Sequence, residues 1–151
     1  MVEIIDYSDE YAEDFRKLNE EWLRKYNLAE SHDIEVITNP RGMILDGGGH
    51  LYLAREGKEI VGSAGLALEG PSVYELVKMS VAPAFQGRGI ARMLIDKCLD
   101  KARALKAKKI FLYSNSQLVT AISLYEKYGF VHVDASNAPL VTADVKMELI
   151  L

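Results

Sequence analysis

Cysteine is nearly absent: Cys98 is the only one among 151 residues. A single thiol permits no disulfide within the chain and no cysteine-built metal centre. The three histidines, His32, His50 and His132, show no ligand spacing, so no metal is expected. No apolar run reaches the roughly 20 residues that a membrane-crossing helix needs. No apolar stretch precedes an N-terminal cleavage site either, and the expectation is a cytoplasmic protein without a membrane partner. Positive charge is not in excess. Lysine and arginine total 18 against 22 acids, for a net charge of −4, which argues against nucleic acid as a partner of the whole surface. Two familiar phosphate-binding signatures are missing. There is no G-x-x-x-x-G-K-[ST] and no G-x-G-x-x-G, so neither a Walker-type loop nor a dinucleotide fold is supported. Repeats, linkers and low-complexity tracts are not found.

What remains is a chain of single-domain length, with 49% apolar residues and a soluble balance of charge. Val2 to Tyr7 reads as a strand, followed by Ser8 or Asp9 as a helix cap. Tyr11, Phe15, Leu18, Trp22 and Leu23 recur at helical spacing, so a helix runs to Tyr26. Ser31 to Thr38 reads as a second helix, stopped before Pro40. Leu51–Arg55 and Ile60–Leu68 are strands joined by a short turn at Gly57. Tyr74 to Val81 is a strand, Arg88 to Leu105 a helix and Lys109 to Tyr113 a strand. Leu118 to Lys127 is a helix with Gly129 as its natural stop, and Phe130–Val133 and Asp144–Leu149 close the sheet. This order predicts an α/β fold: a mixed, mostly antiparallel sheet of six to seven strands with helices on both faces. Cys98 falls on the apolar side of its helix and reads as a buried thiol.

One segment stands apart. Gln86-Gly87-Arg88-Gly89-Ile90-Ala91 joins the strand ending at Val81 to the helix that follows. Glycines at such a turn let the backbone approach a ligand closely. The first N–H groups of a helix lack partners and carry partial positive charge, which suits a phosphate or pyrophosphate. Arg88 and Arg92 are the nearest cations for a polyanion.

The pattern Q-x-x-G-x-A, preceded by Glu75-Leu76-Val77-Lys78-Met79-Ser80-Val81-Ala82-Pro83, resembles the acetyl-CoA pyrophosphate loop of the GNAT (Gcn5-related) N-acetyltransferases. A second block, Ala121-Ile122-Ser123-Leu124-Tyr125-Glu126-Lys127-Tyr128-Gly129-Phe130, resembles the A-I-x-L-Y-E-K-x-G-F segment that follows the loop in that family. The likeness runs from about Ile60 to the end. Residues 1–49 share only the coarse strand–helix–helix outline.

The resemblance implies a single acetyltransferase domain over 1–151, with residues 1–49 as substrate-side helices and 50–151 as the cofactor-binding core. It also implies a V-shaped splay between the strand before the loop and the strand before the last helix. Acetyl-CoA is the implied cosubstrate, held by Gln86, Gly87, Arg88, Gly89, Ile90 and Ala91. Met79, Ser80 and Val81 would present a bulged backbone to the pantetheine arm and thioester, one N–H acting as oxyanion donor. Tyr125 takes the family's general-acid position, since a phenol can pass a proton to a departing thiolate. A helical tyrosine beside Leu118, Ala121 and Leu124 also reads as core packing. Glu75 is the candidate base, of most use at acid pH where an amine is most protonated; contact with the substrate's charge or a solvated strand end are its other readings. Asn115 either caps the last helix or touches the pantetheine arm. Trp22, Tyr26 and His50 are candidates for a pocket wall. The expected acceptor is a small-molecule, peptide or protein amine, and the expected assembly a monomer or homodimer. The readings are an N-acetyltransferase using acetyl-CoA, a CoA-binding sensor without turnover on the same fold, and a transferase of longer acyl groups.

Overall fold

The computed structural model describes residues 1–151. Its strands are β1 (Val2–Asp6), β2 (His50–Glu56), β3 (Glu59–Gly70), β4 (Val73–Val81), β5 (Lys109–Ser114), β6 (Val131–Val133) and β7 (Val145–Ile150). They form one sheet in the order β1-β2-β3-β4-β5-β7-β6. Four helices flank it: α1 (Ala12–Lys25), α2 (Ser31–Thr38), α3 (Ile90–Ala104) and α4 (Val119–Lys127). All neighbours in the sheet are antiparallel except β4 and β5, which run parallel across the α3 crossover.

The alternation along β2 shows how both faces are covered. Leu51 and Leu53 pack with Phe15, Leu18, Leu23 and Ile37 from α1 and α2, while Tyr52 and Ala54 pack with Leu94, Ile95 and Cys98 from α3. Successive side chains of a strand point to opposite faces, so a strand buried on both sides is apolar throughout. Cys98 is fully buried. The β2–β3 hairpin closes through Gly57 and Lys58, and Gly57 supplies the positive φ of 62° that its turn requires.

Three departures from the sequence reading are local. Ser8 precedes a 3-10 turn at Asp9–Tyr11 and caps nothing with its side chain, so α1 begins at Ala12. A π-type turn at Arg41–Leu45 follows Pro40, where sequence periodicity gives no sign of it. The third helix starts at Ile90 and not at Arg88, because Gly89 is left-handed at φ +79° and cannot belong to a right-handed helix.

The parallel pair creates the feature that matters most for a ligand. Only Val73, Tyr74 and Glu75 stand in register with β5, opposite Lys109, Ile110 and Phe111. β4 continues to Val81 and β5 to Ser114 without further pairing, so the two strands part beyond Glu75 and open a V in the sheet.

Candidate active site

The turn before α3 has the geometry of an anion cradle. Gly87 and Gly89 both sit at φ +79°, and a Cβ on either would meet nothing within 4 Å. The space above them is open, and glycine occupies these left-handed positions without strain. Gly89 is the N-cap of α3 and has no side chain with which to bond the first N–H groups. Those donors therefore remain free for a ligand. Gln86 Nε2 donates to Val81 O at 3.2 Å and ties the turn back to β4.

β4 is bulged just above the V. Ser63 pairs with Ser80 and Gly65 with Val77, so Lys78 and Met79 together face the single residue Ala64. Lys78 carries the bulge at φ +51°. A buried polar cluster lies behind it. Ser63 Oγ donates to Lys78 O at 2.7 Å, Ser80 Oγ donates to Asn19 Oδ1 at 3.1 Å, and Asn19 Nδ2 donates to Phe15 O at 3.0 Å and Ser63 Oγ at 3.2 Å. In front, Lys78 Nζ donates to Asp33 Oδ1 at 2.5 Å.

Two cavities flank this strand. A groove of about 630 Å³ runs along Met79, Ser80 and Val81, over Gln86, Gly87, Gly89, Ile90 and Ala91, and past α4. A smaller cavity, about 260 Å³, lies in the V between β4 and β5 and is walled by α1, α2 and the 139–143 segment. Its charged lining residues include Asp33, Glu69, Glu75 and Lys78. Five residues line both: Trp22, Met79, Leu118, Ala121 and Tyr125. The two cavities thus meet at Tyr125.

Tyr125 packs its ring against Phe130, with centroids 5.9 Å apart, and is buried among the core residues of the α3 face. Its hydroxyl has no hydrogen-bond partner in the protein, yet no buried side-chain oxygen or nitrogen is left unsatisfied. The oxygen is therefore open to the cavities. Burial, with Cys98 close by, raises its pKa above that of a free phenol. Glu75 stands at the apex of the V, half-buried, with its pKa raised to about 7 by burial and then by the nearby Glu69 carboxylate. Lys78 and Lys146 oppose that rise.

Met79, Ser80, Val81 and most of the predicted turn residues line the larger groove. Three expectations need correction. The Arg88 guanidinium is turned away, stacked 4.8 Å from the Phe85 ring centroid and 3.6 Å from Glu56 Oε2. Placed between two left-handed glycines, it points outward, and Arg92 and Lys127 supply the groove's positive charge. Asn115 neither caps α4 nor reaches the groove. Its Nδ2 donates to Thr142 O at 2.8 Å and its Oδ1 accepts from Gln117 N, while Leu118 holds the N-cap position. His50 lies against Tyr74 and lines neither cavity. Sequence reading gave no individual role to Asp33, Glu69 or Lys127, and it did not foresee that Ser80 joins Asn19 and Ser63 in a buried cluster. Asn19 carried a usable signal, since it sits four residues from both Phe15 and Leu23, on the buried stripe of α1.

A profile of the Acetyltransferase (GNAT) family matches residues 6–130. The chain belongs to the GNAT acetyltransferase family. The GNAT match takes in α1 and α2, which sequence reading had tied to the family only in outline. An N-acetyltransferase of Escherichia coli K12 described as uncharacterized, YjgM, is 39% identical over 90 residues, covering 57% of this chain and 54% of that protein. The N-alpha-acetyltransferase RimI of Mycobacterium tuberculosis is 38% identical over 87 residues, covering 56% and 53%. The matched region thus spans about half the length of these relatives. Among solved structures, a GNAT-family acetyltransferase from Staphylococcus aureus Mu50 superposes with a TM-score of 0.91 at 21% identity, covering 100% of this chain and 99% of that one. The PaiA N-acetyltransferase of Thermoplasma acidophilum, solved in complex with coenzyme A, gives 0.79 at 19% identity, covering 100% and 99%. At these identities the likeness is one of fold: a seven-stranded mixed sheet, opened by a V and flanked by helices.

Proposed function

We propose that the protein is an N-acetyltransferase that passes the acetyl group of acetyl-CoA directly to a primary amine in a ternary complex. The observation that carries this reading is the meeting of two cavities at Tyr125 and Met79. One is a long groove ending at free helix N–H groups, suited to a pyrophosphate and a pantetheine arm. The other is a short cavity containing Glu69 and Glu75, neither of which has a salt-bridge partner in the protein, suited to an amine. A CoA-binding sensor has no need of the second cavity.

The reaction then needs no metal. The thioester lies along Met79–Val81, and the amine nitrogen enters from the V and attacks the carbonyl carbon. Holding both reactants in place lowers the barrier by several kcal/mol. A backbone N–H of the bulge stabilises the oxyanion. As the C–S bond breaks, Tyr125 gives its proton to the departing thiolate. The proton lost by the amine goes to Glu75. Glu75 stands four residues before Met79, a separation of at most about 13 Å at roughly 3.3 Å per residue and somewhat less across the bulge, so this transfer runs through water. That RimI of Mycobacterium tuberculosis is an N-alpha-acetyltransferase supports an amine acceptor. The test is release of free thiol from acetyl-CoA with a panel of diamines, amino acids and peptides. Acetyl-CoA that binds without any accepted amine would favour the sensor instead.

A further inference from the structure

We propose that Asn19, Ser63 and Ser80 are positioning residues that aim the Met79 N–H at the thioester carbonyl; the inference rests on the acetyl-transfer reading above. The proton count of the cluster makes the case. A serine hydroxyl has one proton to give. Ser63 gives its proton to Lys78 O at 2.7 Å and Ser80 gives its proton to Asn19 Oδ1 at 3.1 Å. Both protons are then committed, and the 3.1 Å approach of the two hydroxyl oxygens is a contact only. Asn19 spends its two amide protons on Phe15 O and Ser63 Oγ. Every donor is used once, and the amide of Asn19 has one orientation that satisfies the set. Asn19, Ser63 and Ser80 are 2%, 0% and 3% exposed, so water does not compete for these bonds.

The consequence falls on one peptide unit. No peptide bond in the chain is cis, and in a trans peptide the C=O of one residue and the N–H of the next point in opposite directions. Ser63 lies on β3 and draws the Lys78 carbonyl to that side. The Met79 N–H is thereby turned to the other side of β4, toward the gap where β5 has parted from it. Met79 lines both cavities at that gap. A donor there costs no reorganisation during reaction only if it cannot swing. Lys78, at φ +51°, occupies a conformation that a non-glycine residue avoids. It is held there by Ser63 on its carbonyl and Asp33 on its side chain. A cluster tied into α1 therefore sets the aim of a backbone group on β4.

The test uses acetyl-CoA labelled with 13C at the carbonyl, bound to the protein without amine, with Ser63→Cys, Ser63→Ala and Ser80→Ala as variants. A hydrogen bond to the carbonyl moves its resonance downfield, a readout that loss of packing alone does not give. For the wild type we expect a downfield shift on binding. For the Ser63 variants we expect that shift to shrink, with kcat down by about ten- to a hundredfold and the KM for acetyl-CoA within about threefold, since deletion of one oxyanion donor costs about 10²–10³. Ser80→Ala should show a smaller change in the same direction. Ser63→Cys keeps the side-chain shape, slightly enlarged, while weakening the donor, and any variant with a wild-type circular dichroism spectrum decides the matter. Full downfield shift and full kcat in such a variant overturn the positioning role and leave the transferase reading intact. A wild type that does not bind labelled acetyl-CoA overturns both.

Discussion

Lys78 Nζ and Asp33 Oδ1 lie 2.5 Å apart, with side chains only 13% and 6% exposed, on the wall of the smaller cavity. The same carboxylate accepts from the Glu30 backbone N–H at 3.1 Å and closes the capping box of α2. One acid thus fixes the start of α2 and the side chain of the bulge residue. Asp33→Ala should therefore strand a buried ammonium and uncap the helix. Breaking a buried pair from one side costs about 3–5 kcal/mol, and we expect a loss of that order in urea unfolding. Replacing both partners, as in Asp33→Asn with Lys78→Met, should recover part of it. A loss below about 1 kcal/mol for Asp33→Ala would mean that water reaches the pair freely.

Glu75 gives a pH prediction of two parts. Its folded-state pKa is raised, from 4.5 to about 7, so the folded protein holds a proton that the unfolded chain releases. Its contribution is fully present below pH 4.5 and lost as pH rises through 7. Glu75→Gln should remove that loss and make the variant more stable than wild type at pH 8, by about 1–2 kcal/mol after screening through the cavity mouth. Activity should move the other way. Sequence reasoning placed the base's importance at acid pH, but with its pKa raised to about 7 this carboxyl becomes increasingly protonated as pH falls below 7 and loses its capacity to accept a proton. The wild-type profile of kcat/KM should instead rise through about pH 7, and Glu75→Gln should lose that limb. A variant with an unchanged limb would release Glu75 from the role of base.

The proposed phosphate-binding role of the turn before α3 can be tested through binding alone. Acetyl-CoA should raise the melting temperature of the wild type, because it binds the folded state. Gly89→Val fills the open space above the turn, and it also forces a branched side chain to φ +79°. The fold should pay for this strain with about 1–2 kcal/mol, or a few degrees of melting temperature. The meaningful quantity is the ligand-induced shift measured against each variant's own unliganded midpoint. We expect Gly89→Val to lose most of it and Gly89→Ala to lose less. Equal shifts in all three proteins would show that the pyrophosphate lies elsewhere.

Much of this architecture was legible in the sequence, for reasons that differ by element. Helical spacing gave α1 through Phe15, Leu18 and Leu23, and the apolar strand runs gave all seven strands to within about two residues. The turn before α3 was legible because glycine is the residue that left-handed backbone selects. The bulge was expected at Met79–Val81 only through family resemblance, because Lys78 at φ +51° has no signature as a residue type. Side-chain direction was the main loss. Arg88 is in the turn yet its guanidinium faces Glu56, and Asn115 follows a strand yet bonds to Thr142, 27 residues on. Such partners are set by tertiary contacts, which sequence spacing does not encode. Ser63 and Asn19 are 44 residues apart and meet only because α1 packs across β3 and β4.

Tyr125 separates catalysis from packing. Tyr125→Phe keeps the ring against Phe130 and removes only the hydroxyl. Because that hydroxyl bonds to no other protein group and is open to the cavities, its loss strands no partner. The cost of a broken buried hydrogen bond, about 1 kcal/mol, should therefore not appear. The melting temperature and the affinity for acetyl-CoA should stay near wild type. If Tyr125 protonates the departing thiolate, kcat should fall by about ten- to a thousandfold. Its raised pKa makes it a weaker acid than a free phenol, but the leaving thiolate forms beside it in the same buried surroundings, and desolvation raises the thiol's pKa in the same sense. The proton transfer is then close to balanced, and a primary solvent isotope effect on kcat should be present in the wild type and absent from the variant. Wild-type kcat in a stable Tyr125→Phe protein would assign the proton to water and leave Tyr125 as the packed floor where the two cavities join.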